Sequence, residues 1–310
     1  MAVVNNKVIF CEGTLDKDLI NQLLGNLSNQ ITIVPTGGKF NFSNFVPGYL
    51  YQNTNIENNK NKHEKKENTQ NYLIFRDRDF DIEPTSEIKL LQIDKLRNRA
   101  FLSHRTCIEN YLLNPELIHE YWSTQYANNL ENPISNNKWG HKDSPGVDVI
   151  TKWIEDAARI LQDYQAVRWA LGNLCQLTAS RKQLETRWIK GTIPNSLTLS
   201  DCEERAESLI KDFTNTVQEV TIDKFKNNLH KYLQLFDQEE FWIQKQYLIW
   251  FDGKDIQKAM DKVSKDKKLP YRSYNRSYIS MDHFSKWAIN HIDINQYDDL
   301  IELKNKIEQL

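Results

Sequence analysis

Acidic residues follow two short apolar runs in the N-terminal part of the sequence. Glu12 comes directly after the run VIFC, Asp77 comes directly after the run YLIFR, and Asp79 stands two positions later. If both runs are strands of one parallel sheet, these residues lie beyond the carboxyl ends of the strands, where such sheets bind ligands. Clustered carboxylates repel one another unless a cation neutralises them, and hard oxygen ligands select Mg²⁺ or Mn²⁺ over zinc. The sequence therefore predicts a divalent metal site that contains Glu12, Asp77 and Asp79.

The spacing of Asp77 and Asp79 predicts that both side chains lie on one face of a strand. If the strand continues, residues two apart share one face, about 6 to 7 Å apart along the chain, and Arg78 points the other way. Asp81 would extend the same row. The simpler interpretation is a solvated charge run, in which these aspartates pair with Arg76 and Arg78.

Further charged residues extend the candidate site. Asp16 lies four positions after Glu12, and Glu109 lies in the segment CIENYLL. Both have simpler roles open to them, because acidic residues stabilise helix starts and pair with neighbours on a helix. Lys39, which follows two glycines, and Lys254, which opens a predicted helix, are candidates for contact with a phosphate. A plain turn before a helix is the simpler explanation for Lys254.

The segments around these residues predict a β-α-β unit with added strands. Four runs fit buried strands: Val8–Phe10, Ile31–Val34, Tyr72–Phe75 and Ala100–Ser103. Between the first two, leucines at positions 15, 19, 23 and 27 predict an amphipathic helix that Thr14 could cap. Crossovers of this type make parallel sheets, so the predicted fold class is α/β, with the sheet flanked by helices.

Two segments are typical of connections. Residues 53–70 contain one apolar residue, Ile56, and cannot offset their ordering entropy by burial, which predicts a mobile surface loop. Residues 128–146 contain two prolines and several asparagines, which predicts a linker. The predicted domains are therefore an α/β domain at residues 1–127 and a mostly α-helical domain at residues 147–310.

Apolar residues recur at helical spacing beyond the linker. Positions from Trp153 to Leu171 lie near one stripe, which predicts a long helix. Ser200 and Glu203 stand at capping-box spacing at the start of another helix. Two further helix starts are predicted, near Lys254 and Met281.

The bulk composition excludes several classes of protein. Among 310 residues, 39% are hydrophobic and 26% are charged, as in globular domains, and no apolar run is long enough to cross a bilayer. Four scattered cysteines without a CxxC pair argue against a disulfide framework and a structural zinc, so buried reduced thiols are expected. The N-terminus has no basic leader or cleavage site, so we expect a cytoplasmic protein. A net charge of -2 neither supports nor excludes binding to nucleic acid.

The paired acidic motifs resemble those of the Toprim domain of topoisomerases, primases and OLD-type nucleases. The resemblance lies in a hydrophobic strand that ends in Glu12 and Gly13, followed by a later strand that ends in Asp77 and Asp79. In addition, Asp16 is similar to an acidic position of the nuclease branch, and Gly38 to a small residue that often follows the second strand.

The segment CIENYLL carries a further resemblance. Its Glu109 and Asn110 are similar to an acidic motif of Toprim-like proteins encoded beside ABC-type ATPases in bacterial anti-phage operons, including the effector subunit of the PARIS system. The resemblance covers roughly the first 120 residues. The sequence departs from the family pattern where Phe80 and Asp81 stand in place of a glycine, and in the long polar insert before the third strand.

The resemblance implies a Mg²⁺- or Mn²⁺-dependent endonuclease. Asp77 and Asp79 would hold the metal, and Glu12 would bind a metal or act as general base. Three more carboxylates would complete the metal shell: Asp16, Asp81 and Glu109. The resemblance further implies a toxic effector of anti-phage defence, held by an ABC-type ATPase partner, homodimeric when active, and cutting tRNA or DNA. The alternative is a non-catalytic, partner-binding subunit of a defence complex.

Overall fold

The chain forms two compact units in a computed structural model that describes residues 7–60, 71–93, 99–131, 142–176, 184–189, 191–214, 220–266 and 281–310. The first unit comprises the chain up to Asp77, Thr85–His104 and Asp293–Leu310, and the second comprises Arg78–Pro84 and Arg105–Ile292. The boundaries of these units differ from those of the predicted domains 1–127 and 147–310, which stay a prediction.

The first unit is built on a sheet of five strands among the residues described. These are β1 (Lys7–Cys11), β2 (Thr32–Pro35), β3 (Asn71–Arg76), β4 (Leu91–Gln92) and β5 (Ala100–Leu102). The strand order is β2-β1-β3-β5-β4, and neighbours are parallel except β4 with β5. The α/β fold class and the four predicted strands are confirmed. The two-residue β4 is too short to leave a hydrophobic pattern in the sequence.

Helices flank this sheet and form most of the second unit. The helices of the first unit are α1 (Thr14–Leu24), α2 (Phe42–Lys60) and α13 (Asp298–Glu308). Those of the second unit are α3 (Glu109–Leu112), α4 (Pro115–Glu131), α5 (Val147–Arg159), α6 (Gln162–Cys175), α7 (Leu199–Thr214), α8 (Ile222–Phe236), α9 (Glu239–Ile243), α10 (Tyr247–Trp250), α11 (Gly253–Asp266) and α12 (Met281–Ile289).

Helix α2 covers one face of the sheet. Val8 and Phe10 of β1 form a buried cluster with Phe42 and Val46 of α2, because alternate residues of a strand point to one face. Helix α1 contacts β2 and α13. Since β2 and β3 lie on opposite sides of β1, right-handed crossovers place α1 and α2 on opposite faces.

The loop predicted at residues 53–70 is wrong for its first part. Helix α2 runs to Lys60, so positions 53–60 are helical, whereas positions 61–70 lie outside the described residues. The apolar residues that anchor α2, Phe42 and Val46, stand before position 53. Once started, a helix gains one hydrogen bond for each added residue, so a polar tail can continue it.

The two ends of α1 also differ from the prediction. Its N-cap is Gly13 and not Thr14. The helix ends at Leu24, and Leu27 lies exposed in the following 3₁₀ segment, Gly25–Gln30. Gly25 has a φ of 51°, a conformation that ends helices and that glycine adopts readily, so the leucine repeat runs past the helix.

Residues 293–310 complete the first unit. Asp299, in the first turn of α13, accepts a hydrogen bond from the backbone N–H of His104 at 3.0 Å. Glu302 accepts one from the backbone N–H of Leu90 at 2.9 Å. The last segment of the chain is therefore bonded to the loop before β4 and to the end of β5.

The long helix predicted around residues 153–171 is two helices. Helix α5 ends at Arg159 and α6 begins at Gln162, with a turn at Ile160 and Leu161. Neither turn residue is glycine or proline, so the sequence carries no helix breaker at this point.

The start of α7 lies upstream of the predicted capping box at Ser200. The helix begins at Leu199, and Oγ1 of Thr198 accepts a hydrogen bond from the backbone N–H of Asp201 at 3.4 Å. The helix starts predicted near residues 254 and 281 are confirmed by α11 and α12.

Two predictions from composition can be compared with the structure. All four cysteines lie among the described residues, are buried and form no disulfide bond, as expected. Across the parts of the chain that the structure describes, no helix is both long and apolar enough to span a membrane.

Candidate functional site

The first unit brings Glu12 and Asp77 to the same edge of its sheet. Strand β1 pairs with β2 and with β3, and both pairs are parallel. Glu12 directly follows β1, and Asp77 directly follows β3. The chain leaves β1 for β2 on one side and then crosses to β3 on the other, so these strand ends border the topological switch point. Open sheets of this kind have their ligand crevice at that point.

The backbone of Glu12 is held by the turn that follows β2. The N–H groups of Gly37 and Gly38 donate to the carbonyl oxygen of Glu12 at 3.0 and 3.1 Å. Thr36 binds the preceding carbonyl, that of Cys11, through its N–H at 2.8 Å and its hydroxyl at 3.1 Å. The half-buried side chain of Glu12 therefore projects from a fixed backbone.

Glycine is needed in this turn. Gly37 has a φ of 80°, and Gly38 has a φ of 125° with a ψ of 159°, a combination that side chains strongly disfavour. Asn41 closes the turn, since its Nδ2 donates to the carbonyls of Thr36 and Gly37 at 3.0 and 3.1 Å. Lys39 follows at the same edge of the sheet, and its contact with a phosphate stays a prediction.

Asp16 serves the start of α1. Its carboxylate is 5% exposed, and Oδ2 accepts a hydrogen bond from the backbone N–H of Gly13 at 3.0 Å. This is the helix-start role that the sequence left open. Metal binding by Asp16 stays a prediction.

Asp77 marks the point at which β3 ends. Its side chain is 4% exposed, and its carbonyl oxygen accepts a hydrogen bond from Nη1 of Arg76 at 3.1 Å. Asp79 has a φ of 50°, so the chain has already left the extended conformation. The shared strand face expected for Asp77 and Asp79 does not form, because the strand on which it depended stops at Arg76.

The donor set of this edge suits a hard divalent cation. Glu12, Asp16 and Asp77 offer carboxylate oxygens, and buried carboxylates are costly unless their charge is compensated. Burial, followed by the negative charge of Asp16, raises the pKa of the neighbouring Cys11 thiol. Cys11 therefore stays protonated in the metal-free protein, and its Sγ donates to the carbonyl of Gly13 at 3.5 Å. An oxygen-only set of this kind fits Mg²⁺ or Mn²⁺ better than zinc.

Asp79 and Asp81 lie on a loop of the second unit, residues 78–84. The backbone N–H of Asp79 donates to the carbonyl of Thr106 at 2.8 Å. Arg78 is fully buried, and its guanidinium donates to three acceptors within 3.1 Å: the Ile82 carbonyl, the Thr106 hydroxyl and the Ile249 carbonyl. Burial lowers the pKa of Arg78 to about 10, so it remains a cation at neutral pH and anchors the loop.

Glu109 and Asn110 have separate roles in the second unit. Nζ of Lys254 lies 3.6 Å from the Glu109 carboxylate. The Asn110 side chain is fully buried, and its Oδ1 accepts from the backbone N–H groups of Gly253 at 2.9 Å and Cys107 at 3.1 Å. Its Nδ2 donates to two carbonyls, those of Leu248 and Phe251. Asn110 is therefore a structural bridge, whereas Glu109 remains a candidate ligand.

Cys107 is a possible donor that the sequence gave no reason to name. Its Sγ lies within 4.8 Å of a carboxylate oxygen of Glu109 and donates to Oδ1 of Asn110 at 3.1 Å. A thiol beside a carboxylate would bind softer metals than Mg²⁺.

The start of α11 is already capped by protein groups. Oδ1 of Asp252 accepts from the backbone N–H groups of Lys254 at 2.9 Å and Asp255 at 3.2 Å, and Asn110 accepts from Gly253. The first N–H groups of the helix are thus occupied. The turn-before-a-helix explanation of Lys254 is the better one, and a phosphate contact through these N–H groups is not supported.

A buried charge network surrounds the same helix start. Arg168 donates to Asp252 at 2.9 Å and also pairs with Asp255, and Arg187 donates to both aspartates at 3.0 and 2.9 Å. Burial raises the pKa of Asp252, but the charges of Arg168 and Arg187 outweigh it and hold that pKa well below its ordinary value. Burial and the neighbouring Asp252 raise the pKa of Asp255. Sequence reasoning missed this network, because its members are far apart in the chain.

Comparisons with known proteins add no relative. The sequence matches no protein-family model, and no curated protein matches it significantly.

Proposed function

We propose that the protein is a divalent-metal-dependent, Toprim-like nuclease that hydrolyses phosphodiester bonds. The observation that carries this proposal is the position of Glu12 and Asp77, which directly follow the adjacent parallel strands β1 and β3 at the switch point of the sheet. Asp79, two residues further along, is the third ligand predicted from the sequence. Mg²⁺ or Mn²⁺ bound by these carboxylates would neutralise the phosphate and lower the pKa of an attacking water.

The residues of the chain itself have distinct roles in this proposal. Asp77 is buried and would offer a carboxylate oxygen to the metal at the end of β3. Glu12 is half-buried on a backbone held by Gly37 and Gly38, so its carboxylate can accept the proton of the attacking water. Lys39, which follows the glycine turn after β2, would provide a positive charge for the phosphate of the substrate.

The biological setting is proposed from the resemblance alone. It includes a cytoplasmic effector of anti-phage defence, a substrate that is tRNA or DNA, an ABC-type ATPase partner, and a homodimer as the active form. The alternative, a non-catalytic subunit that binds a partner, makes a different prediction for metal-dependent cleavage.

The decisive experiment is a cleavage assay with the isolated full chain. Transfer RNA, single-stranded DNA and plasmid are incubated with protein and Mg²⁺, Mn²⁺ or EDTA. We expect cutting that requires metal and that falls by about 10² to 10⁴-fold in Glu12→Gln, the range for loss of a general base. Asp77→Asn should lose both cutting and Mn²⁺ binding.

The control is Asp18→Asn, which changes an exposed carboxylate of α1 near the same edge. It should cut and bind metal as the wild type does. If folded wild-type protein neither cuts any of the substrates nor binds Mn²⁺, the nuclease proposal is wrong, and the partner-binding subunit becomes the better explanation.

A further inference from the structure

The loop that carries Asp79 and Asp81 rests on helix α6 through Phe80. The Phe80 ring is 1% exposed and packs edge to face on Trp169, with 5.1 Å between ring centroids. The contact has no spare room, because a Cβ atom added to Gly172 would lie 2.5 Å from the carbonyl oxygen of Phe80. The two aspartates therefore flank a residue that is tightly packed on α6.

Arg168 joins Phe80 to the start of α11. Its guanidinium carbon lies 4.1 Å from the centroid of the Phe80 ring, a cation–π contact. The same guanidinium is paired with Asp252 at 2.9 Å and with Asp255. One buried cation thus contacts both the aspartate loop and the cap of α11.

The aspartates that hold Arg168 are themselves bonded on other sides. Gln165 donates to Asp255 at 3.0 Å and accepts from the backbone N–H of Asp252 at 3.1 Å. Arg187 contacts both carboxylates, at 22% side-chain exposure. The charges of two arginines balance those of two aspartates. Because both aspartates are held by other bonds as well, the Arg168 guanidinium that pairs with them has a fixed position.

Stability alone is a weak reason for such a network. Buried ion pairs are often replaced by well-packed apolar residues without loss of stability, whereas the fixing of one arrangement among several is their best-attested use. The arrangement fixed here includes Asp79, whose φ of 50° is uncommon for residues other than glycine. Such a conformation persists where its surroundings hold it in place.

We propose that Arg168 is a positioning residue, which acts through the Phe80 ring to hold Asp79 and Asp81 in the orientation that binds the divalent metal. The inference rests on the proposed function, because it takes these carboxylates as metal ligands. It adds that the affinity for metal is set partly by a residue that is not itself a ligand.

The test is Mn²⁺ affinity, measured by electron paramagnetic resonance titration of the full chain. Arg168→Lys keeps the positive charge but loses the planar group that stacks on a ring and pairs with two carboxylates. We expect Mn²⁺ to bind at least about tenfold more weakly, the usual effect of losing a residue that orients ligands. Hydrogen exchange of the Asp79 and Asp81 amides, measured without metal, should become faster.

The matched control is Arg159→Lys. Arg159 also lies over an aromatic ring, 4.3 Å from the centroid of Trp242, and pairs with Glu155 at 2.7 Å, but it has no contact with the loop at residues 78–84 among its described partners. Its Mn²⁺ affinity and the exchange of the two amides should equal those of the wild type.

A second variant covers the case in which Arg168→Lys does not fold. Phe80→Leu keeps an apolar side chain but removes the ring, and it should weaken Mn²⁺ binding to a similar degree. Wild-type affinity in either folded variant would overturn the inference and leave the proposed nuclease intact. Failure of the wild type to bind Mn²⁺ at all would overturn the inference together with the proposed function.

Discussion

The two units hold their polar residues in different ways. In the first unit, Glu12 and Asp77 are placed by the ends of neighbouring strands and by backbone hydrogen bonds from the next turn. In the second unit, Asn110 and Arg168 are buried and bonded to groups 143 and 84 residues away in the sequence.

This difference predicts how each unit responds to substitution. A half-buried carboxylate at a strand end can lose its charge without leaving many groups unbonded. Removing one member of a buried network leaves its partners without hydrogen bonds, at a cost of about 1 to 3 kcal/mol for each group. We therefore expect substitutions in the second unit to reduce stability most, and substitutions around Glu12 to reduce metal binding most.

The largest effect is expected for Asn110→Ala. It removes hydrogen bonds to Gly253, Cys107, Leu248 and Phe251, all from a fully buried side chain. The free energy of unfolding, measured by urea denaturation, should fall by about 4 kcal/mol. Asn114→Ala is the control, because the Asn114 side chain accepts a hydrogen bond from the N–H of Leu117, and its loss should reduce the free energy of unfolding by about 1 kcal/mol. Equal losses in the two variants would remove the contrast between the units.

A smaller loss of unfolding free energy, about 3 kcal/mol, is expected for Gly172→Ala. The added methyl group would meet the backbone carbonyl of Phe80, which cannot move away as a flexible side chain could. Gly48→Ala is the matched control in the first unit, because Gly48 is exposed within α2 and has open space around its Cβ position. It should leave the melting temperature unchanged or raise it slightly. A neutral Gly172→Ala would show that the loop at residues 78–84 is not fixed by α6.

In the first unit, Gly38→Ala should reduce the free energy of unfolding by about 2 kcal/mol. The reason is that the φ of 125° and ψ of 159° at Gly38 suit glycine alone. It should also weaken Mn²⁺ binding, since Gly38 donates to the carbonyl of Glu12. Gly146→Ala, with a similar φ of 90° and ψ of 161°, is the control. Calorimetry should give similar stability losses for both variants, and isothermal titration should give weaker metal binding for Gly38→Ala alone.

The smallest effect is a loss of stability at alkaline pH. Burial, followed by the charges of Asp163 and Asp201, raises the pKa of Cys202 from 9.0 to about 12. Because the folded-state pKa is raised, the contribution to stability is complete below about pH 9 and is lost as the pH rises toward 12. The wild type should lose about 1 kcal/mol more than Cys202→Ala between pH 9 and pH 10 in urea denaturation. Parallel curves for the two proteins would contradict the raised pKa.

The sequence predicted well those elements of the fold that have a local hydrophobic pattern. Strands β1, β3 and β5 are short runs of apolar residues, and Glu12 and Asp77 stand directly after two of them. Where a pattern was polar, as in the second half of α2, or carried no breaker, as between α5 and α6, the prediction was wrong.

The supporting contacts of the site could not be predicted for a different physical reason. Asp79 has a φ of 50°, which aspartate adopts more often than most residues but still uncommonly, so its residue type alone did not specify this conformation. The Arg168 and Asp252 pair joins α6 to the residue before α11, and both helices show ordinary helical spacing. A single sequence carries the periodicity of each helix but not the pairing of polar residues between helices.

The hydrogen bonds from residues 293–310 to Leu90 and His104 have a consequence for synthesis of the protein. The first unit combines a sheet made early in translation with a helix, α13, that is made much later, so it cannot be completed while residues 293–310 are still inside the ribosome. If the protein cuts nucleic acid, its catalytic edge would reach its final form only after residues 293–310 have left the ribosome. A ribosome that is still making the second unit would then not be exposed to a chain that already cuts nucleic acid.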